Sequence, residues 1–421
     1  MENNLKRLDF APSKEEVNEL QKQAKEVINV LKKNIKADKI NAQIFLGGSF
    51  AKETMVRKDN YDIDVFIRIN KENFDNDLKK LEKTVSKSAK QINSKIETLH
   101  GSRDYYQITR PGKNVIIEII PVLKINKPEQ AENVTDLSYF HVDYIKKKIK
   151  KKQQREVRLA KMFFDACGCY GAESYIQGFS GYATECLIAK YGTFNSMLKA
   201  LTKEDKIIVD PAKQYRNPKE ALIALNEAKI QSPVIIIDPT WKKRNALASL
   251  SQETYSKFRK AAVAYLKKPS INYFEKKEVN LSHLKEQAKK LNAEFTEIEI
   301  KTDRQEGDIA GTKLKKAARF ILVESEKEHK IIRHEFVYDL NKSARVYLIS
   351  KRIEELFVSG PPIKMIEHVK AFKREHEKTF EKKGKICTVI KNNLSLAEYL
   401  KNKVLNGKKL RSMGIVKARI V

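Results

Sequence analysis

The stretch from Ile44 to Ile69 constrains the fold of this chain more than any other feature. Its second half, YDIDVFIRI, alternates with the period of two that is typical of a β-strand. One face carries Ile63, Val65, Ile67 and Ile69, and the other carries Asp62, Asp64, Phe66 and Arg68. The two carboxylates lie roughly 7 Å apart along the strand, and they repel each other unless a cation lies between them. The pattern predicts a strand with one buried face and a divalent-cation site on the other.

The first half of the same stretch predicts a phosphate-binding turn. Residues 44–46 are typical of the end of a buried strand, and Gly47 and Gly48 then allow the backbone to approach a ligand without a Cβ in the way. Ser49 follows directly, so its hydroxyl and the exposed backbone amides are placed to hold phosphate oxygens. Lys52 adds positive charge one turn later. The turn and the acidic strand together favour a nucleotide site.

A third carboxylate is predicted on a neighbouring strand. Glu118 interrupts the apolar run VIIEIIPVLKI at residues 115–125. An ionised Glu among isoleucines is costly to bury without a partner, so a metal ion explains its position better than chance. The alternative for an isolated Asp-x-Asp is the solvated face of an edge strand. The glycine turn before the strand and the acid in the later strand favour the metal site.

Composition indicates the kind of partner. The 421 residues suffice for roughly two to four domains, and 84 Lys plus Arg against 54 Asp plus Glu leave a net charge of +30. This charge favours a polyanion, with nucleic acid ahead of a membrane surface, although a Lys-rich proteome would give the same excess. Because no signal core and no apolar run of about 18 residues occurs, we expect a cytoplasmic protein. The four cysteines and seven histidines show neither a disulfide framework nor a zinc spacing.

One set of residues resembles the signature of the DNA polymerase β type nucleotidyltransferase superfamily: Gly48, Ser49, Asp62, Asp64 and Glu118. Residues 156–194 and 238–251 closely resemble the archaeal (class I) CCA-adding enzymes, which are tRNA nucleotidyltransferases. The resemblance covers most of residues 40–260 and is looser after that. It implies an α/β (α+β) multidomain protein that has a nucleotidyltransferase head with a mixed sheet, a helical central domain and an α/β RNA-binding tail.

The expected domains are residues 1–148 for the catalytic head, 149–268 for the helical central domain that completes the nucleotide pocket, and 269–421 for the body and tail that bind tRNA. Ser13 and Glu16 predict a capping box at the start of the first helix. The residue patterns predict further helices at 74–92, 156–167, 184–191, 193–201, near Asn245, at 312–324 and at 369–379. They predict further strands at 105–109, 115–125, 234–237, 294–302 and one or two within 336–349.

The resemblance assigns roles to the three acids. Asp62, Asp64 and Glu118 would bind one Mg²⁺ that activates the tRNA 3′-hydroxyl, and both aspartates would share a second that neutralises the triphosphate and the leaving pyrophosphate. Glu118 would also take the proton. The family usually has Asp at the third of these positions and often Glu at the first. Here the longer side chain is at the third position, Glu118, and the shorter one is at the first, Asp62. Lys52 stands where Arg is common, which loses a bidentate phosphate contact and keeps the charge.

The resemblance assigns seven residues to the nucleotide: Gly48, Ser49, Lys52, His141, Lys161, Tyr170 and Arg244. Ser49 and the two lysines would hold the triphosphate together with Tyr170, and Arg244 would read the base edge. His141 matches a family position near the active site without an assigned role. Taken without the resemblance, Lys161 would be a snorkelling lysine, Tyr170 a core residue and Arg244 a surface arginine. Two glycines in GFSGY, residues 178–182, predict a close structural contact.

The predicted function is addition or repair of the 3′-terminal CCA of tRNA from CTP and ATP, without a nucleic acid template. The expected partners are the acceptor and TΨC arms of tRNA and a second copy of the chain in a homodimer. One alternative is another template-independent nucleotidyltransferase, such as a poly(A) polymerase or an oligonucleotide synthetase. The other is an inactive RNA-binding homologue, against which the presence of all three acids argues.

Overall fold

The computed structural model describes residues 8–101, 103–276 and 278–421, and they divide into two compact units. The first unit comprises residues up to 172 together with Ile176–Lys276, and the second comprises Glu173–Tyr175 and residues 278–421. Both contain helices and sheets, which confirms the predicted α/β multidomain class. The finer division at residues 148 and 268 stays a prediction. Among the helices of the described residues, none is long and apolar enough to cross a membrane.

The first unit opens with helix α1, Lys14–Ala37, and the predicted capping box is confirmed. The Ser13 hydroxyl accepts a hydrogen bond from the Glu16 amide at 3.1 Å, and the Glu16 carboxylate accepts one from the Ser13 amide at 2.6 Å. These two bonds satisfy amides that a helix N-terminus otherwise leaves without partners. The helix therefore starts where its sequence signal lies.

A five-stranded mixed sheet forms the centre of the first unit. Its strands are β1 Ala42–Leu46, β2 Tyr61–Ile69, β3 Lys95–Leu99, β4 Tyr105–Thr109 and β5 Val115–Leu123. The order is β1-β2-β5-β4-β3, and β2 and β5 are parallel whereas the other neighbours are antiparallel. The predicted strand 115–125 is confirmed, although it ends at Leu123. Helix α2, Gly48–Ala51, follows β1, and α3, Phe74–Gln91, follows β2.

The alternation in β2 separates a core face from a functional face, as the sequence predicts. The core face carries four side chains without solvent exposure: Ile63, Val65, Ile67 and Ile69. They belong to one hydrophobic cluster with residues of α1 and α3 such as Leu31 and Leu81. Each such side chain contributes about 1.5–3 kcal/mol through burial. This burial holds the strand in a register that presents Asp62 and Asp64 on the opposite face.

Helices dominate the rest of the first unit: α4 Ser138–Lys148, α5 Lys151–Ala166, α6 Gly181–Tyr191, α7 Phe194–Leu201, α8 Pro218–Ala224 and α9 Gln252–Lys267. An aromatic cluster packs between them, in which the Phe164 and Phe179 rings stack at 4.1 Å and Phe258 meets both edge-on. A small sheet of β6 Ile207–Val209, β7 Val234–Asp238 and β8 Trp241–Asn245 completes this part.

The predicted helix near Asn245 is wrong, because residues Trp241–Asn245 form strand β8 and the next helix begins at Gln252. The turn at Pro239 and Thr240 is tight enough for the chain to fold back antiparallel on β7. The Asn245 side chain then accepts the Ile236 amide at 3.0 Å, which fixes the end of the hairpin. This bond joins residues nine apart in the chain, and the segment around Asn245 does not by itself indicate it.

The second unit contains two sheets. The first has the order β10-β11-β9-β15, with β9 Glu294–Thr302, β10 His329–Tyr338, β11 Ser343–Arg352 and β15 Ile415–Ile420. The second has the order β12-β14-β13, with β12 Glu355–Pro362, β13 Thr379–Lys382 and β14 Lys385–Lys391. The helices are α10 Leu281–Lys290, α11 Asp308–Ser325, α12 Ile366–Glu375, α13 Leu396–Leu400 and α14 Lys408–Ser412. The structure confirms the predicted strand at 294–302 with the same ends. It also confirms the helices predicted at 312–324 and 369–379, although both begin and end at other residues.

Candidate active site

The parallel pairing of β2 and β5 brings the three predicted acids to one face of the sheet. Asp64 lies directly opposite Glu118 in the register, and Asp62 lies opposite Ile116. All three carboxylates are partly buried rather than turned into the core. Adjacent strands are about 5 Å apart. The arrangement therefore places two acids side by side and a third one pleat repeat away.

Burial changes the pKa values of two of these acids, Asp64 and Glu118. Burial raises the pKa of the Asp64 carboxyl; the Lys52 charge opposes this shift, and Asp62 adds to it. Burial also raises the pKa of Glu118, to about 7, and the negative charge of Asp64 is the next largest cause. Burial first, and a nearby acid second, thus disfavour the charged form of both carboxylates. A bound cation would relieve the repulsion.

The donor set fits a divalent cation, although the side chains have other partners in this structure. Asp62 forms an ion pair with Lys58, and Gln107 donates a hydrogen bond to Glu118 at 2.9 Å. Within the described ranges no three acidic, His or Cys side chains form a ready-made metal cluster. Carboxylate oxygens are the ligands that hard cations such as Mg²⁺ and Mn²⁺ prefer. Binding would require Asp62 to exchange Lys58 for the cation.

The double glycine is needed for the acids as well as for the turn. A Cβ on Gly48 would lie 1.6 Å from Asp64 Oδ2, and its φ of +59° belongs to the left-handed region. A Cβ on Gly47 would lie 2.2 Å from the Phe66 ring. Ser49 lies in α2, the single helical turn that begins at Gly48. The turn therefore packs directly against a predicted metal ligand, which agrees with the predicted proximity of Gly48, Ser49 and Asp64.

The two predicted triphosphate lysines meet at a buried acid that the sequence analysis missed. Lys52 Nζ lies 2.5 Å from one oxygen of Glu185, and Lys161 Nζ lies 3.5 Å from the other. The Thr54 hydroxyl donates to Glu185 at 2.5 Å, and Lys161 donates to the Thr54 carbonyl oxygen at 3.0 Å. Lys161 is 4% exposed. The snorkelling alternative for Lys161 is wrong, because its ammonium group is inside the protein.

Tyr170 lies beside Lys161 at the start of helix α6. A Cβ on Gly181 would lie 3.1 Å from the Tyr170 hydroxyl and 4.0 Å from the Lys161 Cε. A Cβ on Gly178 would lie 2.1 Å from the Cys169 carbonyl oxygen. The close structural contact that both glycines predict is therefore present. At Gly181 it adjoins two predicted nucleotide contacts, which a purely structural interpretation of this segment did not anticipate.

His141 and Arg244 meet at a second buried acid, Asp238, which has no solvent exposure. One oxygen of Asp238 lies 3.0 Å from His141 Nε2 and accepts from Arg244 at 2.6 Å. The other accepts the hydroxyl of Tyr182 at 2.9 Å. The Tyr182 ring also stacks on the His141 ring at 3.8 Å. Arg244 is 19% exposed at its side chain, so its guanidinium is oriented by the acid and still reaches solvent.

Both clusters lie within electrostatic reach of the acids. The Lys52 charge acts on Asp64, and it also contributes to the lowered pKa of His141, which burial causes chiefly. Lys52 thus connects Asp64 electrostatically with His141. Sequence reasoning missed Glu185 and Asp238. Glu185 had the same signal as Glu118, since it interrupts the apolar run of helix α6.

The comparisons with known proteins agree with this geometry. Residues 24–161 match the model of the nucleotidyltransferase domain, and residues 155–275 match the model of the tRNA nucleotidyltransferase second domain. These two matches identify the chain as a nucleotidyltransferase, and the paired acids beside the glycine turn are in keeping with that class. Enzymes of this class typically use divalent metals.

Three CCA-adding enzymes are similar to this chain. The one from Nanoarchaeum equitans is 31% identical over 93% of this chain and 94% of its own length. That from Sulfurisphaera tokodaii is 28% identical over 93% of this chain and 88% of its own, and that from Pyrobaculum islandicum is 32% identical over 63% and 60%. This chain belongs to the CCA-adding enzyme family, and the predicted family is confirmed.

Gly48→Ala should abolish nucleotidyl transfer, because the new methyl group must displace the Asp64 carboxylate. We expect a loss of at least about 100-fold in kcat, since a displacement of about 1 Å at reacting groups has effects of this size. Gly112→Ala is the matched control: it has a similar φ of +70° and no atom within 4 Å of the new Cβ. Equal activity of the two variants would contradict the assigned role of Gly48.

Glu118→Gln should stabilise the cation-free protein at neutral pH. The folded protein holds the Glu118 proton more tightly than the unfolded chain, so this contribution to stability is complete below about pH 4.5 and lost as the pH rises to about 7. The variant removes that loss, which amounts to roughly 2–3 kcal/mol at pH 7 and vanishes near pH 4. Urea unfolding in EDTA measures it. The exposed Glu97→Gln is the control, and a gain independent of pH would contradict the prediction.

Proposed function

We propose that this enzyme adds or repairs the 3′-terminal CCA of tRNA with CTP and ATP, by a two-metal nucleotidyl transfer. One observation carries the mechanism: Asp64 lies opposite Glu118 on parallel strands, one pleat repeat from Asp62 and beside a lysine cluster. Membership of the family supports the substrate. The addition needs mainly positioning of the tRNA 3′-hydroxyl against the α-phosphorus and stabilisation of charge on the triphosphate.

The proposed cofactor is Mg²⁺, held by the carboxylate oxygens of Asp62, Asp64 and Glu118. When bound, two such ions would supply activation of the 3′-hydroxyl and neutralisation of the triphosphate. Gln107 orients the Glu118 side chain through its hydrogen bond, so the Glu118 carboxylate faces Asp64 without rotating freely. Mn²⁺ would suit the same oxygen ligands, and the metal identity is part of the proposal.

The proton acceptor in this proposal is Glu118. Burial and the Asp64 charge raise its pKa to about 7, which is near neutral pH. A carboxyl with such a pKa accepts a proton more readily than an exposed Glu. The longer side chain at this position, compared with the Asp usual in the family, extends its reach by one methylene.

The triphosphate contacts in this proposal are Ser49, Lys52, Lys161 and Tyr170. Ser49 lies in the glycine turn, where backbone amides are available to phosphate oxygens. The lysines supply positive charge next to the acids, and the Tyr170 hydroxyl lies beside Lys161. A triphosphate at this place would meet donors from the turn and from helix α5.

The base contact in this proposal is Arg244. Asp238 accepts a charge-assisted hydrogen bond from it, which restricts the guanidinium to few orientations. His141 shares the same carboxylate, and its ring is held against Tyr182. A guanidinium held in few orientations can distinguish cytosine and adenine from the other bases better than a freely rotating one.

The tRNA contacts rest on charge. The net charge of +30 supports binding of a polyanion, and we assign the acceptor and TΨC arms to residues 269–421. The proposal also includes a head at 1–148 and a central domain at 149–268. It further includes a homodimeric assembly and a cytoplasmic location. The basic run at 146–155 spans the end of α4 and the start of α5, where a phosphate contact and a solvated helix face both stay open.

The decisive assay uses tRNA that lacks its CCA. We expect three added nucleotides and then a stop when CTP and ATP are both present, and only cytidines when CTP is alone. Gel electrophoresis at single-nucleotide resolution measures the product. A long homopolymer would favour a poly(A) polymerase type of activity, and no product in any mixture would favour an inactive RNA-binding protein.

Asp62→Ala and Asp64→Ala should each lower the rate of addition by at least about 1000-fold, because each removes a metal ligand. The affinity for tRNA should change by less than about 2-fold, since the basic surface is intact. Filter binding and single-turnover addition measure the two quantities. The matched control is Asp59→Ala, a change at an exposed acid just before β2. Lost tRNA binding with intact addition would refute the assignment.

A further inference from the structure

Helix α6, Gly181–Tyr191, buries a carboxylate in an apolar segment. Glu185 has no solvent exposure, and its neighbours Thr184 and Cys186 have none either. An ionised acid is costly at such a place unless donors surround it. Its contacts therefore indicate why the chain has an acid at this position.

The donors to Glu185 come from two segments that carry predicted triphosphate contacts. Lys52 and Thr54, just after the glycine turn, each lie 2.5 Å from a different carboxylate oxygen. Lys161 comes from helix α5, and its ammonium group lies 3.5 Å from the oxygen that Thr54 shares. Glu185 thus connects the sheet half of the first unit with its helical half. It also sets the distance between the two lysines.

We infer that Glu185 is a positioning residue for the triphosphate contacts: it holds the ammonium groups of Lys52 and Lys161 in place, so that an incoming triphosphate meets two prearranged cations. The inference rests on the proposed function, because it takes both lysines as triphosphate contacts. Two ammonium groups against one carboxylate leave one positive charge in a buried cluster. That surplus favours binding of an anion rather than a self-contained structural ion pair.

The charge on Lys161 depends on Glu185. Burial lowers the pKa of the Lys161 ammonium group, Glu185 is the largest opposing influence, and the charges of Arg158 and Lys58 lower it further. For Glu185, burial acts to raise the pKa, but Lys52 and Lys161 outweigh burial and lower it overall. Without the carboxylate, the surrounding positive groups would therefore favour the uncharged form of Lys161.

The test is Glu185→Gln, which keeps the shape of the side chain and removes its charge. We expect the dissociation constant for CTP, measured by isothermal titration calorimetry, to rise about 10-fold at pH 7 and further at pH 9. Glu118 itself titrates near pH 7, so the variant is compared with the wild type at each pH, and the ratio of the two dissociation constants should be larger at pH 9 than at pH 7. The KM for CTP and ATP should follow the dissociation constant, whereas kcat at saturation changes little, because positioning acts on binding.

Three variants serve as controls. Lys161→Arg in the Glu185→Gln background should remove the pH dependence, because a guanidinium stays charged when it is buried. Thr54→Val removes a hydroxyl from the same cluster without changing its charge, so it should lower thermal stability and leave the pH profile of CTP binding as in the wild type. Glu156→Gln changes an acid outside the cluster, whose carboxylate accepts a hydrogen bond from the Phe194 amide at 2.9 Å. It should leave CTP binding unchanged.

Specific results would overturn the inference. One is a Glu185→Gln variant that binds CTP as tightly as the wild type at pH 7 and pH 9. Another is a variant whose CTP binding is weakened equally at both pH values, since that is the behaviour of a residue that only stabilises the fold. If Glu185→Gln does not fold, Glu185→Asp replaces it, and its shorter reach must weaken CTP binding. Because calorimetry needs no turnover, a wild-type protein that binds CTP but adds nothing to tRNA would refute the proposed function alone.

Discussion

The parallel pairing of β2 with β5 is the constraint on which the rest of the structure depends. It places Asp64 opposite Glu118 because four isoleucine and valine side chains bury the other face of β2 and prevent a shift of register. Burial on this face raises the pKa of both Asp64 and Glu118, and the negative charge of Asp64 raises that of Glu118 further. The hydrophobic core thus holds together charges that would separate by themselves.

Helix α6 organises the cations that face these acids. Its first residue, Gly181, leaves room for Tyr170 and Lys161, its second residue holds Asp238 and stacks on His141, and Glu185 holds the two lysines. Each buried acid is compensated by donors from segments distant in sequence, which is the condition for an ionised group to persist inside a protein. The same contacts that satisfy the acids orient the predicted nucleotide contacts.

Where a helix or strand has a signal in its own sequence, the predicted ends agree with the structure to within a few residues. The capping box at Ser13 and the strands at 61–69, 105–109 and 294–302 have signals that lie inside the element itself. The prediction failed at Asn245, where a hairpin replaces a helix, because its stabilising bonds reach β7 across the turn. Propensity within a short window does not register such partners.

The sequence by itself determined the shared face of Asp62 and Asp64 and the glycine turn, because strand alternation and the turn signal are local, and its resemblance to known enzymes indicated the family. The position of Glu118 opposite Asp64 depends on the pairing of β2 with β5. Only the tertiary structure decided which cations meet which acids. Glu185 and Asp238 became visible as organising groups only when segments far apart in the chain packed together. Contacts of this kind depend on three-dimensional packing, and a linear pattern of residues carries no record of the distance between them.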